Sequence, residues 1–372
     1  MLRDASNPVQ KPKTVSQIDR EAYEARLAAK KLSPDQQLAL FTEFQSDVPE
    51  PYTVLYELYD AIPKFSTTAL TTDRSKGKLG IVEREFMWGE RKLNVTITPI
   101  VVKSRNREGQ TIEKEILPGP REETIFRVLK KMAADASVEK HARDEVGVVM
   151  SFTLSHLRSR LRLVGHEYKI SEIREALEVL NRSAIDVTDI SRRKRIYSGS
   201  HIYLKFALSE VDTENEYGRV EVAFNALATN AINSKTYDRI HYNRLMSLSP
   251  LGAWIYELIT RKFRQAGIGQ GYKLSLSTIL AESGMPRHNR IRSNVLQVRK
   301  TLAELIKADV LAVYPRYTEE ITCDLSSNRG RRPIKEVLWT LFPSEQVIRD
   351  IREDNGAKKR RREYSRAISQ RD

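Results

Sequence analysis

The side chains best suited to recognition chemistry in this sequence form a cationic, amide-rich set between residues 287 and 300. An arginine guanidinium can donate two hydrogen bonds to a guanine edge, and an asparagine or glutamine amide can pair in the same way with adenine. A helix that carries such side chains fits the major groove of double-stranded DNA. We therefore predict DNA contacts for Arg287, His288, Asn289, Arg290, Ser293, Asn294, Gln297 and Lys300.

A helix over about Asn289 to Lys307 has to position this set. Its apolar residues recur at steps of three and four, so they face a core and leave the polar side chains on the opposite surface. These apolar residues are Ile291, Val295, Val298, Leu302 and Leu305. Taken alone, a basic helix face also fits an ordinary solvated helix. The neighbouring elements are therefore needed to distinguish a DNA-binding helix from a solvated one.

Those neighbours follow the order expected of a winged-helix domain. A first helix begins at Ser249-Pro250, with serine as the cap and proline at the first helical position. A short strand and a short helix ending at Gly284 come next, because glycine suits the left-handed residue after a helix. A hairpin follows the long helix, with alternating strands at Val310, Ala312, Tyr314 and at Val337, Trp339, Leu341, and with predicted phosphate contacts at Arg329, Arg331 and Arg332.

A second pattern of the same kind lies earlier in the chain. A short helix over Thr153 to Leu163 is followed by a helix after Ser171, a strand, a basic tip and a return strand at His201 to Leu208. The second helix of this copy carries several glutamates, so we expect it to contact bases less than its counterpart does. The DNA-contacting residues predicted for this copy are Lys169, Arg174, Arg192, Arg193, Lys194 and Arg195.

The segment 34–44 carries a compact apolar cluster behind a glutamine. Its sequence Gln37-Leu38-Ala39-Leu40-Phe41 resembles the Gln-Leu-x-Leu-Phe peptide by which bacterial proteins dock into the pocket of the replicative sliding clamp. In that interpretation Leu38, Leu40 and Phe41 fill the pocket and Gln37 satisfies polar groups at its rim. The alternative is that the three apolar side chains staple a helix onto the first domain.

Composition narrows the class of partner. The 372 residues contain 63 Lys+Arg against 49 Asp+Glu, a net charge of +14 that favours a polyanion such as DNA. No apolar run approaches the ~20 residues of a membrane-spanning helix, and no signal-peptide pattern is present. Cys323 is the single cysteine, which excludes intrachain disulfides and cysteine-rich zinc sites. We therefore expect a bacterial cytoplasmic protein without a membrane partner.

Catalytic patterns are missing from the sequence. The six histidines are dispersed, with no His-x-His pair near a tyrosine of the kind that a rolling-circle nickase uses to hold its metal. The glycines of Gly267 to Lys273 fail the spacing of a phosphate loop. We expect no enzyme activity, no cofactor and no metal.

The expected fold class is α+β, with two tandem winged-helix domains between flexible basic and polar termini. The predicted divisions are a mobile arm (1–33), the clamp-like motif (34–44), a first winged-helix domain for dimerisation and DNA backbone contacts (45–235), a second one for sequence-specific binding (236–345), and a basic tail (346–372). Within the first domain, Pro49 to Pro63 predicts a short helix, and Ser104 to Gly119, rich in charge and glycine, predicts a loop.

The ordered set of motifs resembles plasmid replication initiators of the winged-helix Rep/RepA class, and most of all the TrfA-type initiators. The points of likeness are the clamp-like peptide, the Phe152-Thr153-Leu154 start of the first helix-turn-helix, Leu248-Ser249-Pro250, and Tyr272 to Gly284. The chain departs from the family in its long inserts and its basic end. The resemblance implies binding to repeated origin sites (iterons), opening of an AT-rich element with contact to its single strand, and recruitment of host helicase, initiator and clamp. It also implies a balance between monomer and homodimer.

Two other classes of function stay open at this stage. A transcriptional regulator uses the same modules to bind DNA. Winged helices also serve as protein-binding modules, although the basic helix face would then have no role. Direct repeats beside an AT-rich segment near the coding sequence would favour the initiator.

Overall fold

The computed structural model describes residues 34–48, 50–105, 110–135, 139–143, 147–206, 219–323 and 333–369. Within these ranges the chain is a mixture of helices and small antiparallel sheets. The helices are α1 (Pro34–Asp47), α2 (Pro120–Ala134), α3 (Leu154–Leu163), α4 (Ile170–Arg182), α5 (Ala226–Asn233), α6 (Tyr242–Met246), α7 (Pro250–Lys262), α8 (Leu276–Glu282), α9 (Ile291–Lys307) and α10 (Glu345–Ser369). A 3-10 turn covers Tyr59–Ala61.

The strands are grouped into sheets of two to four members. They are β1 (Tyr52–Tyr56), β2 (Leu70–Asp73), β3 (Val82–Trp88), β4 (Arg91–Thr98), β5 (Ile100–Arg105), β6 (Thr111–Leu117), β7 (Glu139–Arg143), β8 (Gly147–Thr153), β9 (Ala184–Asp189), β10 (Lys194–Gly199), β11 (Ile202–Phe206), β12 (Arg219–Phe224), β13 (Tyr237–His241), β14 (Tyr272–Ser275), β15 (Tyr317–Cys323) and β16 (Ile334–Leu341).

The first half of the chain is built around one hydrophobic core that three sheets and several helices share. Its sheets have the strand orders β10-β9-β4-β3, β11-β12-β8-β7 and β2-β6-β5. Strand β4 shows the alternation that a half-buried strand requires, since Leu93, Val95 and Ile97 are fully buried and their neighbours are not. Thr153 caps α3 by accepting a hydrogen bond from the backbone N–H of His156 at 3.1 Å.

The second half packs α7, α8 and α9 against the three-stranded sheet β14-β16-β15. Trp339, at the centre of this sheet, is fully buried and lies opposite Leu274 on one side and Glu319 on the other. The predicted start of α7 is confirmed, because the Ser249 Oγ accepts from the Gly252 N–H at 3.3 Å and Pro250 is the first helical residue. The helix over 291–307 begins two residues later than its predicted start.

Two predictions for the first half are wrong. The segment predicted as a helix between Pro49 and Pro63 forms strand β1 and the 3-10 turn, because its aromatic and β-branched run Tyr-Thr-Val-Leu-Tyr pairs with β13 and is buried on both faces. The segment predicted as a loop, Ser104 to Gly119, instead contains β6, which pairs with β5 and β2. Glu113, Lys114 and Glu115 form a charged run that favours a loop, but Ile112 and Ile116 lie on one face of the strand, and pairing on both sides holds the segment extended.

The first strand predicted for the second hairpin is also misplaced. Val310 and Leu311 are buried, but this stretch makes one isolated bridge from Leu311 to Pro343 rather than a ladder. Val313 and Tyr314 extend into solvent, and the strand begins only at Tyr317.

The predicted flexible C-terminal tail is helix α10, which begins at Glu345. Val347, Ile348 and Ile351 belong to the core of the second half. Farther along, the Lys358 Nζ donates to the Asp238 Oδ1 of β13 at 2.7 Å, and both side chains are buried. The basic residues near the end of the chain therefore continue a helix that is packed against the protein. The residues before them hold this helix in place through apolar contacts and buried ion pairs. The predicted N-terminal arm lies outside the described residues.

Contacts between the two halves hold the segment that leads into α9. Gly284, after α8, accepts a hydrogen bond at its carbonyl from the Thr67 N–H at 3.2 Å, and its φ is +72°. A Cβ at this position would lie 2.2 Å from the Phe65 carbonyl oxygen, so glycine is required. The Glu282 carboxylate accepts from the Met87 N–H at 3.1 Å. Deeper in the junction, Arg127 of α2 donates to Glu257 of α7 at 3.1 Å.

Candidate nucleic-acid interface

Helix α9 separates an apolar face from a polar one, as its periodicity predicts. Val298, Leu302 and Leu305 are fully buried in the core of the second half. The predicted DNA-contacting residues that lie on the solvent side are Arg287, His288, Asn289, Arg290, Ser293, Gln297 and Lys300. The helix therefore presents hydrogen-bond donors and acceptors outward along its first half, where a groove could receive them.

Asn294 is the exception, and its placement on the exposed face is wrong. Its side chain is only 3% exposed. The Asn294 Oδ1 accepts from the His288 N–H at 3.0 Å, and its Nδ2 donates to the His288 carbonyl oxygen at 3.2 Å. The spacing itself gives the physical reason, because residue 294 falls three after Ile291 and four before Val298, on the core side of the helix. Asn294 therefore holds the preceding segment against the helix.

The segment Arg287–Arg290 is consequently fixed at both ends. On its N-terminal side Met285 is buried and its N–H donates to the Ser283 Oγ at 3.1 Å, next to the contacts of Gly284 with the first half. On its C-terminal side the paired hydrogen bonds of Asn294 hold His288. Four polar side chains thus project from a short segment whose backbone is held by these hydrogen bonds.

Arg299 is an arginine of α9 that the sequence analysis did not single out. Its guanidinium donates to the Glu319 carboxylate of β15 at 2.8 to 3.3 Å. This hydrogen bond raises the pKa of Arg299 above its ordinary value. This ion pair connects α9 to the hairpin β15–β16. The two residues are twenty positions apart with no periodic pattern between them, so the sequence alone does not predict the pair. Further exposed cations near the helix and hairpin are Arg292, Arg316 and Lys335.

The hairpin β15–β16 places its connecting segment at the end of two long paired strands. The ladder runs from Tyr317 opposite Leu341 to Cys323 opposite Ile334. Arg329, Arg331 and Arg332, the predicted phosphate contacts, fall in the connection and lie outside the described residues. Their contacts stay a prediction.

In the first half, the basic tip is a turn between β9 and β10. Arg192, Arg193, Lys194 and Arg195 are exposed there, and Arg193 adopts a left-handed φ of 49°. The Arg192 N–H donates to the Asp189 Oδ1 at 3.1 Å, which stabilises the turn. The return strand is Lys194–Gly199, whereas the predicted stretch from His201 contains β11 of another sheet.

Helix α4, which the sequence predicts to be the counterpart of α9, is partly covered on its outer side. Val179 is buried in a cluster with Ile100, Val102 and Ile116 of the sheet β2-β6-β5. Near the start of the same helix, the Arg121 Nη2 donates to the Glu175 Oε1 at 2.7 Å. Of the two residues predicted to contact DNA here, Lys169 is exposed and Arg174 is half-buried. The sheet that covers α4 includes the strand missed at 111–117.

The clamp-like motif lies inside helix α1. This helix packs against α2, α5, β7 and β8 of the first half. Leu38 is half-buried, and its carbonyl oxygen accepts from the Thr42 Oγ1 at 3.0 Å. The side chains of Gln37, Leu40 and Phe41 are outside the described set, so clamp binding stays a prediction.

The described ranges contain no cluster of three or more His, Cys, Asp or Glu residues that could hold a metal ion. Within the same ranges, no helix has the length and apolar character needed to cross a membrane. His201 is buried, donates or accepts at its Nδ1 with the Tyr59 hydroxyl at 2.9 Å, and has its pKa lowered well below the usual value by burial. It is a core side chain.

No protein-family model matches the sequence, and no curated protein matches it. Among solved structures, the chain is similar to two crystal structures of domains 2 and 3 of RctB, one of them a selenomethionine derivative. The TM-scores are 0.46 and 0.43, each at 7% identity, and the matches cover 78% of this chain and 99% and 98% of the other chains. Likenesses at this level carry no conclusion about function.

Proposed function

We propose that this chain binds double-stranded DNA in a sequence-specific way, with α9 in the major groove. The observation that supports this most is the outward face of α9 and of the segment just before it, where seven predicted polar residues are exposed while the opposite face of the helix is buried in the core. Arginine, asparagine and glutamine on such a face match the donor and acceptor patterns of guanine and adenine.

The element order around α9 supports a winged-helix arrangement for the second half. Helix α7, strand β14, helix α8, helix α9 and the hairpin β15–β16 follow one another, and the three strands form one sheet. In that arrangement the connecting segment of the hairpin contacts phosphates beside the groove. The first half carries α3, α4, β9 and β10 in a related order, but a sheet partly covers α4. We therefore propose backbone contacts by its exposed basic turn, without base contacts by α4.

The junction between the halves supports simultaneous DNA contact by α9 and by the basic turn at 192–195. Arg127 is 7% exposed at its side chain and bridges Glu123 at 2.8 Å and Glu257 at 3.1 Å, so a buried ion network spans α2 and α7. Gly284 and Glu282 add backbone contacts across the same junction. Such contacts favour a constant spacing between α9 and the basic turn at 192–195. Two modules about one helical turn of DNA apart, ~34 Å, suit repeated sites near twenty base pairs.

The motifs shared with plasmid replication initiators lead us to propose repeated origin sites as the DNA. Opening of an adjacent AT-rich element, contact with its single strand, recruitment of host helicase, initiator and sliding clamp, and a monomer–homodimer balance belong to the same proposal. We propose that the chain acts by binding rather than by catalysis. A winged-helix transcriptional regulator is the alternative, and the position of the bound sites distinguishes the two.

Footprinting on DNA from the neighbourhood of the gene tests the proposal. The initiator predicts protected direct repeats beside an AT-rich segment, with protection lost in an Arg290→Ala, Gln297→Ala double variant. A matched variant, Ile268→Ala, changes an exposed aliphatic residue in a different loop of the same half and should leave protection intact. A single protected site over a promoter would favour the regulator. Absence of protection on any DNA would contradict sequence-specific binding altogether.

A further inference from the structure

Leu296 is an exposed apolar residue at the centre of the polar face of α9. Its side chain is 53% exposed. With about 100° of rotation per residue, position 296 points almost directly away from the buried residues Val298 and Leu305. An apolar group at the point farthest from the core gains nothing from packing inside the protein.

The surroundings of Leu296 argue against an apolar docking patch for another protein. Its neighbours one turn before and one turn after on the helix, Arg292, Ser293 and Lys300, are all exposed and polar, as is the adjacent Gln297. Protein-binding patches are contiguous apolar surfaces, whereas this is one apolar side chain inside a polar frame. A frame of donors and acceptors around one aliphatic group matches a groove that offers both hydrogen-bonding edges and methyl groups.

The DNA major groove has that composition at thymine. Thymine carries a 5-methyl group in the groove, and the other bases present only hydrogen-bonding atoms or a bare ring edge there. We propose that Leu296 contacts a thymine 5-methyl group and thereby selects A·T pairs at the centre of the half-site contacted by α9. This inference rests on the proposed function, since it assigns a base type to the same face.

The proposal separates roles along the helix. Arg290 and Gln297 supply hydrogen bonds that identify guanine or adenine, while Leu296 supplies an apolar contact that identifies thymine. Burial of one methyl-sized group from water is worth a factor of about four in affinity, from ~0.8 kcal/mol per group. Loss of the contact should therefore produce a small, position-specific change rather than a loss of binding.

Replacement of thymine by deoxyuridine removes the methyl group and keeps every hydrogen bond, so it isolates the proposed contact. A binding site is first selected from random duplexes with the full chain, and each thymine of that site is then replaced in turn. The full chain should lose about fourfold in affinity at one or two thymines. The Leu296→Ala variant should bind the normal site about fourfold more weakly and should be insensitive to deoxyuridine at those same positions. The Ile268→Ala variant should behave like the full chain.

Thermal melting of both variants establishes that they fold, as expected for changes at exposed positions. If deoxyuridine has no effect at any position, or if Leu296→Ala keeps the full sensitivity, the thymine contact is wrong while sequence-specific binding stands. If selection from random duplexes yields no preferred site, the proposed function is wrong and the contact is wrong with it.

Discussion

Asn294 provides the sharpest stability prediction, because the structure gives it a role different from base contact. Its amide makes two hydrogen bonds to the backbone of His288, at 3.0 and 3.2 Å, and its side chain is buried. A typical intramolecular hydrogen bond contributes ~0.5–1.5 kcal/mol net. The backbone of His288 borders solvent, so water replaces part of what Asn294→Ala removes. We therefore expect the free energy of unfolding to fall by about 1–2 kcal/mol.

The same substitution should weaken specific DNA binding without any lost base contact. Release of residues 287–290 means that their backbone must be ordered again on binding, at ~1–2 kcal/mol per residue fixed. Only part of that segment is freed, so we expect roughly a tenfold loss on the selected site, which corresponds to ~1.4 kcal/mol. Binding to random duplexes should change little, because phosphate attraction does not need an ordered segment.

Denaturant unfolding and fluorescence anisotropy on selected and random duplexes measure the two effects. Ser293→Ala is the matched control for the unfolding measurement, since Ser293 is the exposed neighbour and its truncation should leave stability within about 0.5 kcal/mol. An Asn294→Ala variant with unchanged stability, and with specificity relaxed at one base pair alone, would refute the positioning role and restore the direct contact.

Three further predictions test other parts of the account. Glu319→Gln should free Arg299 at a stability cost of no more than ~1 kcal/mol for this exposed pair. The freed arginine can contact one more phosphate, so the salt dependence of DNA binding should steepen by up to ~0.9 in slope. An unchanged slope would show that Arg299 stays off the DNA. Lys358→Met leaves the buried Asp238 carboxylate unpaired and should lower the free energy of unfolding, measured with denaturant, by ~3–5 kcal/mol. Adding Asp238→Asn to the same chain removes the unpaired charge and should restore part of that stability. If it restores none, the ion pair between Lys358 and Asp238 is contradicted. Leu40→Ala with Phe41→Ala should abolish pull-down by a purified sliding clamp without lowering the melting temperature; a lowered melting temperature with clamp binding retained would assign both residues to the packing of α1.

The sequence predicted the elements whose pattern is local. The apolar spacing of α9, the Ser249-Pro250 start of α7 and the exposed basic turn at 192–195 each depend on residues within a few positions of one another, and the structure confirms them. The exposed polar face of α9 could be predicted for the same reason, since a helix with one apolar stripe must turn its other side outward.

Features that depend on distant partners could not be predicted in this way. Strand β1 is buried on both faces, so it lacks alternation, and its partner β13 lies far along the chain. Helix α10 looked like a solvated charge block because its buried pairing with Asp238 is invisible locally. Asn294 was assigned by residue type to the polar face, although its spacing from Val298 places it on the core side.

The central claim is that the outward face of α9 identifies DNA sequence, and one comparison tests it most directly. The affinities of the full chain and of Arg290→Ala and Gln297→Ala variants are measured at one salt concentration on the selected duplex and on a random duplex. Base recognition by this face predicts a loss of about 1–3 kcal/mol per variant on the selected duplex and almost none on the random one. Equal losses on both duplexes would contradict it, because they would show that these side chains contribute charge or structure rather than base contacts.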